Sequence, residues 1–203
     1  MAIIRVALAT EDAISEAIGL RLLAELPTPI SPNLLFGKKG SGYLRSGVRN
    51  WQQLAQSQVV LIFTDLDRVE CPLALRDDWL GTTKVPVNLM LRIAVREVES
   101  WLLADHQACR NLIGQKGRLP ADPDSLADPK QHLLQLAKLA PRAIKADLLK
   151  VSGAVASQGI GYNSVLVRWV HTSWSPIRAA ERSPSLKRTR NRLRETLVVD
   201  KES

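Results

Sequence analysis

The stretch Val59-Val60-Leu61-Ile62-Phe63-Thr64-Asp65-Leu66-Asp67 decides the fold. Its apolar run reads as a buried strand, and it ends directly in two carboxylates. The same arrangement recurs on either side. Ile3-Ile4-Arg5-Val6-Ala7-Leu8-Ala9 leads into Thr10-Glu11-Asp12, and Val87 to Val95 leads into Glu97-Val98-Glu99. In an open parallel α/β sheet the carboxyl ends of the strands share one edge, where ligands bind, so acidic residues distant in sequence would converge there. Such carboxylates repel one another unless a cation or protons neutralise them, and hard oxygen ligands favour Mg²⁺, Mn²⁺ or Ca²⁺. A divalent-metal site is the leading expectation.

Alternation in an extended backbone points Asp65 and Asp67 the same way and turns Leu66 towards the core. Glu97 and Glu99 alternate likewise if the chain there is extended; on a helix they diverge by roughly 200° and only one can face the cleft. Asp12 is suited to cap the helix that follows, whose face is marked by Ile14, Ile18, Leu22, Leu23 and Leu26. Glu16 is a candidate outer ligand. Asp105 falls on the apolar side of its helix, where either a buried arginine or lysine partner or a catalytic role would account for it.

The chain has 203 residues, 45% of them hydrophobic, which is enough for a real core. An α/β core over residues 1–110 and a mainly helical extension over 111–203, packed as one unit, are expected. A formal charge of +8 around an acidic site suits a protein that holds a polyanion. Cys71 and Cys109 are too few for a disulfide scaffold and lack zinc spacing, and His106, His132 and His171 share no metal spacing. No apolar stretch reaches the 18 or so residues of a spanning helix, and no signal sequence is read at the start, so a cytoplasmic protein without membrane contact is expected.

Between Pro27 and Gly47 the glycines and lysines, Lys38 and Lys39 among them, read as a mobile loop around a short edge strand that could approach phosphates. A helix should follow from about Val48 to Ser57. In the last third, Leu148 to Val155, Val165 to Val170 and Arg178 to Val198 read mainly as helices. The tail crowds Lys187, Arg188, Arg190, Arg192 and Arg194 together, and Lys187, Arg190 and Arg194 would share a face able to track a phosphate backbone.

A strand with glutamate at its first turn, then a strand followed by Asp-x-Asp, is similar to the TOPRIM fold of topoisomerases, primases and nucleases of the overcoming-lysogenization-defect type. Glu11-Asp12-Ala13-Ile14-Ser15-Glu16, Thr64-Asp65-Leu66-Asp67, Arg96 to Asp105, Asp128-Pro129-Lys130, Gly161-Tyr162-Asn163 and Ser183-Pro184-Ser185-Leu186 resemble the spaced motifs of a family of small bacterial TOPRIM-related proteins. The resemblance implies a Rossmann-like sheet, Mg²⁺ (or Mn²⁺) at its carboxyl edge, and phosphodiester hydrolysis on DNA or RNA. It makes Glu11 a ligand or general base, Asp65 and Asp67 the metal pair, and Lys130 the charge-stabilising lysine. Glu97 or Glu99 would complete the metal shell. Asp12 stands where many TOPRIM proteins have glycine. It further implies an ABC-type ATPase partner, a place in phage defence, and leaves a homo-oligomer open. A non-catalytic binding module and a small-substrate phosphatase are the alternatives.

Overall fold

The computed structural model describes residues 3–81, 84–152 and 155–198. The chain forms two compact units: one runs to Ala94 and takes in the chain again from Arg188, and the other spans Val95–Lys187.

The first unit contains β1 (Ile4–Thr10), α1 (Ala13–Ala24), β2 (Ile30–Gly37), α2 (Ser41–Ser46), α3 (Val48–Leu54), β3 (Val59–Asp65), α4 (Pro72–Leu80) and β4 (Leu89–Ala94). All four strands are parallel, in the order β2-β1-β3-β4. The expected α/β class, with helices flanking the sheet and a helical C-terminus, is therefore what the chain adopts. The central strands carry unbroken apolar runs because both faces are covered: Val6 to Ala9 and Val60 to Phe63 are all buried. Gly19 lets α1 lie close on this sheet, since a Cβ there would stand 3.0 Å from Leu8 and 3.1 Å from Phe63. The region expected to be a loop around a short strand holds an eight-residue strand, β2, and the helix expected over 48–57 is preceded by the short α2.

The run from Val87 resolves into a strand that stops at Ala94, and helix begins again at Glu99. That helix, α5 (Glu99–Ala104), opens the second unit. It is followed by α6 (His106–Ile113), α7 (Pro129–Ala137), α8 (Arg142–Leu148), β5 (Leu149–Ser152), β6 (Val155–Gln158), α9 (Tyr162–Thr172) and α10 (Pro176–Ala179). Here the expectation of helix over Leu148 to Val155 is corrected, because β5 and β6 pair as an antiparallel hairpin. Four-residue strands have too few residues to show a period, so the apolar spacing alone could not tell them from a helical turn.

Trp101, Tyr162 and Trp174 are fully buried in this unit. Trp174 Nε1 donates to the Trp101 carbonyl at 3.1 Å, and Trp101 Nε1 donates to Ser185 Oγ at 2.7 Å. Asp105, wholly buried, has an arginine partner: Arg178 Nε and Nη2 donate to its two oxygens at 2.9 and 2.7 Å. It also accepts the Ala108 N–H at the start of α6 and the Ser175 N–H. Both of its oxygens are taken by these donors, so the buried-arginine pairing is the one of the two expected accounts that the fold displays. The last helix, α11 (Pro184–Leu197), begins in the second unit and ends in the first. No helix among the described residues is long and apolar enough to cross a membrane.

Candidate active site

In the first unit, strand ends and one loop meet around Glu11. Thr64 Oγ1 and the Asp65 N–H, the latter at 2.9 Å, both donate to Glu11 Oε1. The β2–α2 loop closes over the same place, where the Lys38 N–H donates to the Thr10 carbonyl at 2.9 Å and the Gly40 N–H donates to the Glu11 carbonyl at 3.0 Å. Gly37 permits this approach: its φ is 109°, and a Cβ would lie 1.9 Å from the Thr10 oxygen. Among the described residues Glu11 Oε2 makes no hydrogen bond, and it is not sealed from solvent. Burial pushes the Glu11 carboxyl above the usual range; the Thr64 and Asp65 hydrogen bonds pull it back, and the charges of Asp67 and Asp12 push it up again.

Its neighbours have distinct duties. Asp12 is the N-cap of α1, with Oδ1 accepting from the Ser15 N–H and the Ser15 hydroxyl at 2.8 Å each. Asp65 ends β3 half-buried. Asp67 is exposed, and the alternation expected of Asp65-Leu66-Asp67 needs correction: Leu66 is buried as expected, but Asp67 sits in a left-handed conformation, φ 50°, within a turn that the Val69 N–H closes onto the Leu66 carbonyl. Aspartate tolerates that conformation better than most residues. Glu16 pairs with Lys38 at 3.1 Å through Oε1, while its Oε2 is buried without a hydrogen-bond partner among the described residues. Lys39 lies over the Tyr43 ring at 5.2 Å.

The second unit gathers Glu97, Glu99 and Lys130 around Tyr162. Tyr162 Oη donates to Glu99 Oε1 at 2.9 Å, and Lys130 Nζ stands 3.7 Å from the same oxygen and 5.6 Å from the centre of the Tyr162 ring. Glu97 Oε2 accepts the Lys130 N–H at 2.9 Å, in the first turn of α7, which Asp128 caps and Pro129 opens. Only 2% of Glu99 is exposed. Burial pushes its pKa up, Lys130 and the Tyr162 hydroxyl pull it down, and Glu97 adds a smaller upward push.

The basic stripe expected on the tail is corrected at Arg190. That residue is 8% exposed, and its Nε and Nη2 donate to Glu25 at 2.7 and 3.3 Å. Arg194 reaches the same Glu25 at 4.0 Å, and Lys187 remains exposed. Periodicity identified a shared helical face but carried no sign that an acid at the end of α1 covers it.

Two members of these clusters were not singled out in the sequence as site residues. Thr64 precedes Asp65 directly, and Tyr162 lies inside Gly161-Tyr162-Asn163, so position beside a motif was the available signal. Among the described residues, no group of three or more His, Cys, Asp or Glu is arranged to hold a metal ion. Magnesium nevertheless keeps several waters and is commonly bound through one or two carboxylates, which the Glu11 cluster can supply. No family model, curated protein or solved structure matches this chain.

Proposed function

We propose that the protein is a divalent-metal-dependent nuclease, with the Glu11 cluster as its reacting centre. The observation that carries this reading is Glu11 itself: one oxygen is anchored by Thr64 and Asp65, the other is open, and the carboxyl has a raised proton affinity at the carboxyl edge of a parallel sheet. Asp65 and Asp67 would hold Mg²⁺ or Mn²⁺, which when bound supplies polarisation of a phosphate oxygen and a more acidic water. Glu11 Oε2 takes the proton of the attacking water, while Thr64 and the Asp65 amide keep the carboxyl aimed. The concentration of negative charge around Glu11 supports a cation there, because Asp67 and Asp12 otherwise oppose its ionisation. The +8 net charge supports a polyanionic substrate.

Labelled single- and double-stranded DNA and RNA, incubated with Mg²⁺, Mn²⁺ or EDTA and with or without an ABC-type ATPase encoded beside it, test the reading. Metal-dependent cleavage lost in Asp67→Asn is the expected result; no cleavage under any condition overturns it. A second reading is a non-catalytic module that binds nucleic acid or the ATPase. The absence among the described residues of a three-ligand metal group favours it.

A further inference from the structure

β4 is the last strand of its sheet, so one of its sides has no strand partner among the described residues. The Val60 N–H donates to the Asn88 carbonyl and the Leu66 N–H to the Ala94 carbonyl, so even-numbered residues of β4 face β3. Odd-numbered residues therefore turn their backbone groups outward. Along that side runs a cleft of about 580 Å³, whose lining includes Leu89, Leu91, one carboxylate, Asp77, and three arginines: Arg76 of α4, Arg92 of β4 and Arg192 of α11.

Arg92 is the unusual member. It interrupts an otherwise apolar strand and is partly buried. Its Nε folds over the edge to the Leu91 carbonyl at 2.7 Å, and among the described residues its guanidinium has no carboxylate partner. Arg76 pairs with Asp77 at 2.8 Å and Arg192 with Glu195 at 3.5 Å, whereas the Arg92 Nη groups make no hydrogen bond among the described residues. Burial, then the charges of Arg192 and Arg188, push its pKa down, against a smaller opposing push from Glu195. An arginine at a sheet edge can serve merely to block strand addition. Blocking, however, gives no reason to bring further arginines to the same place, where like charges repel. An anion would convert that repulsion into attraction. A planar fork of donors matches phosphate oxygens in particular.

We propose that this cleft binds a phosphate group of a nucleic-acid strand, with Arg92 and Arg192 as its ligands and Arg76 and Arg188 beside them. The choice of a strand rests on the nuclease reading; the phosphate site does not. A free nucleotide carries the same chemistry, and the test separates the two sources.

The test is fluorescence anisotropy of a short labelled single-stranded oligonucleotide in EDTA, where failure of the carboxylate reading has no influence. Arg92→Gln and Arg192→Gln should each weaken binding about tenfold, the scale of a charge-assisted hydrogen bond. Arg142→Gln, which removes an exposed charge in the second unit, should leave it unchanged. Arg192→Gln sits on an exposed helix position, so it keeps the test decisive if Arg92→Gln does not fold. Displacement of the strand by ATP that is lost in Arg192→Gln assigns the cleft to free nucleotides as well, and no displacement assigns it to the strand alone. Equal effects in all three variants, or binding of neither oligonucleotide nor ATP by the wild type, overturn the proposal.

Discussion

Glu11 and Glu99 are both glutamates driven towards the protonated form by burial, yet their surroundings differ in sign. Around Glu11 the nearby charges are Asp67 and Asp12, and its two hydrogen bonds come from a neutral hydroxyl and an amide. Around Glu99 stand an ammonium and a tyrosine hydroxyl, both directed at the same oxygen. The charges that act on Glu99 include a cation that favours its ionisation, whereas those that act on Glu11 are two acids that oppose it. A carboxylate whose ionisation its neighbours oppose is one that a ligand of opposite sign can stabilise, whereas one already facing a cation serves mainly to hold the fold.

The two clusters should differ most in activity. Glu11→Gln keeps shape and removes the proton acceptor, so cleavage should fall by at least about a hundredfold, the usual scale of a general base, with binding in EDTA unchanged. Glu99→Gln should fall less, because a buried glutamate engaged by Lys130 and Tyr162 has no free oxygen facing substrate at Oε1. Equal losses in single-turnover assays would erase the distinction between the clusters.

Stability should show the reverse order. Tyr162→Phe removes a donor from a carboxylate that has almost no access to water, which should cost about 1–3 kcal/mol in urea unfolding. Adding Glu99→Gln to it should recover part of that loss, since a neutral amide is less costly to leave partly unsatisfied. Thr64→Val, the matching change in the first cluster, should cost less because Glu11 keeps the Asp65 amide and solvent. A greater cost for Thr64→Val would place the structural hub at Glu11.

Metal provides the next contrast. A ligand at ten times its dissociation constant stabilises by about 1.4 kcal/mol, so Mg²⁺ should raise the melting temperature of the wild type. It should not do so in Asp65→Asn/Asp67→Asn, while Glu99→Gln should respond like the wild type. Calorimetry that finds no Mg²⁺ binding to the wild type removes the metal from the first cluster.

The smallest expected effect is that of pH. The folded pKa of Glu11 lies above the ordinary glutamate value of 4.5, so the folded chain binds more protons than the unfolded one. Its contribution is therefore most favourable below about pH 4.5 and is lost as pH rises through the folded value. The melting temperature of Glu11→Gln minus that of the wild type should accordingly widen as pH rises from about 4.5. A gap that narrows over that interval would mean that Glu11 is ionised with a net favourable partner.

What the chain alone determined is whatever depends on near neighbours. Predominantly apolar runs specified β1, β3 and β4, and an acidic residue soon after a strand specified Asp12 as a cap. Those signals are legible because backbone geometry repeats over two to four residues, and side-chain pattern repeats with it. The burial of Asp105 was legible too, though not its partner, since Arg178 lies 73 residues away. Tertiary structure alone decided the rest. Thr64 meets Glu11 across 53 residues, Tyr162 meets Glu99 across 63, and Glu25 covers Arg190 across 165. A helical projection showed that Arg190 and Arg194 share a face, but only packing determined that this face meets an acid while Arg192 lines a cleft with Arg92. A charge pattern is a property of the chain, whereas the partner that neutralises each charge is chosen by whichever distant segment the fold brings within a few ångströms.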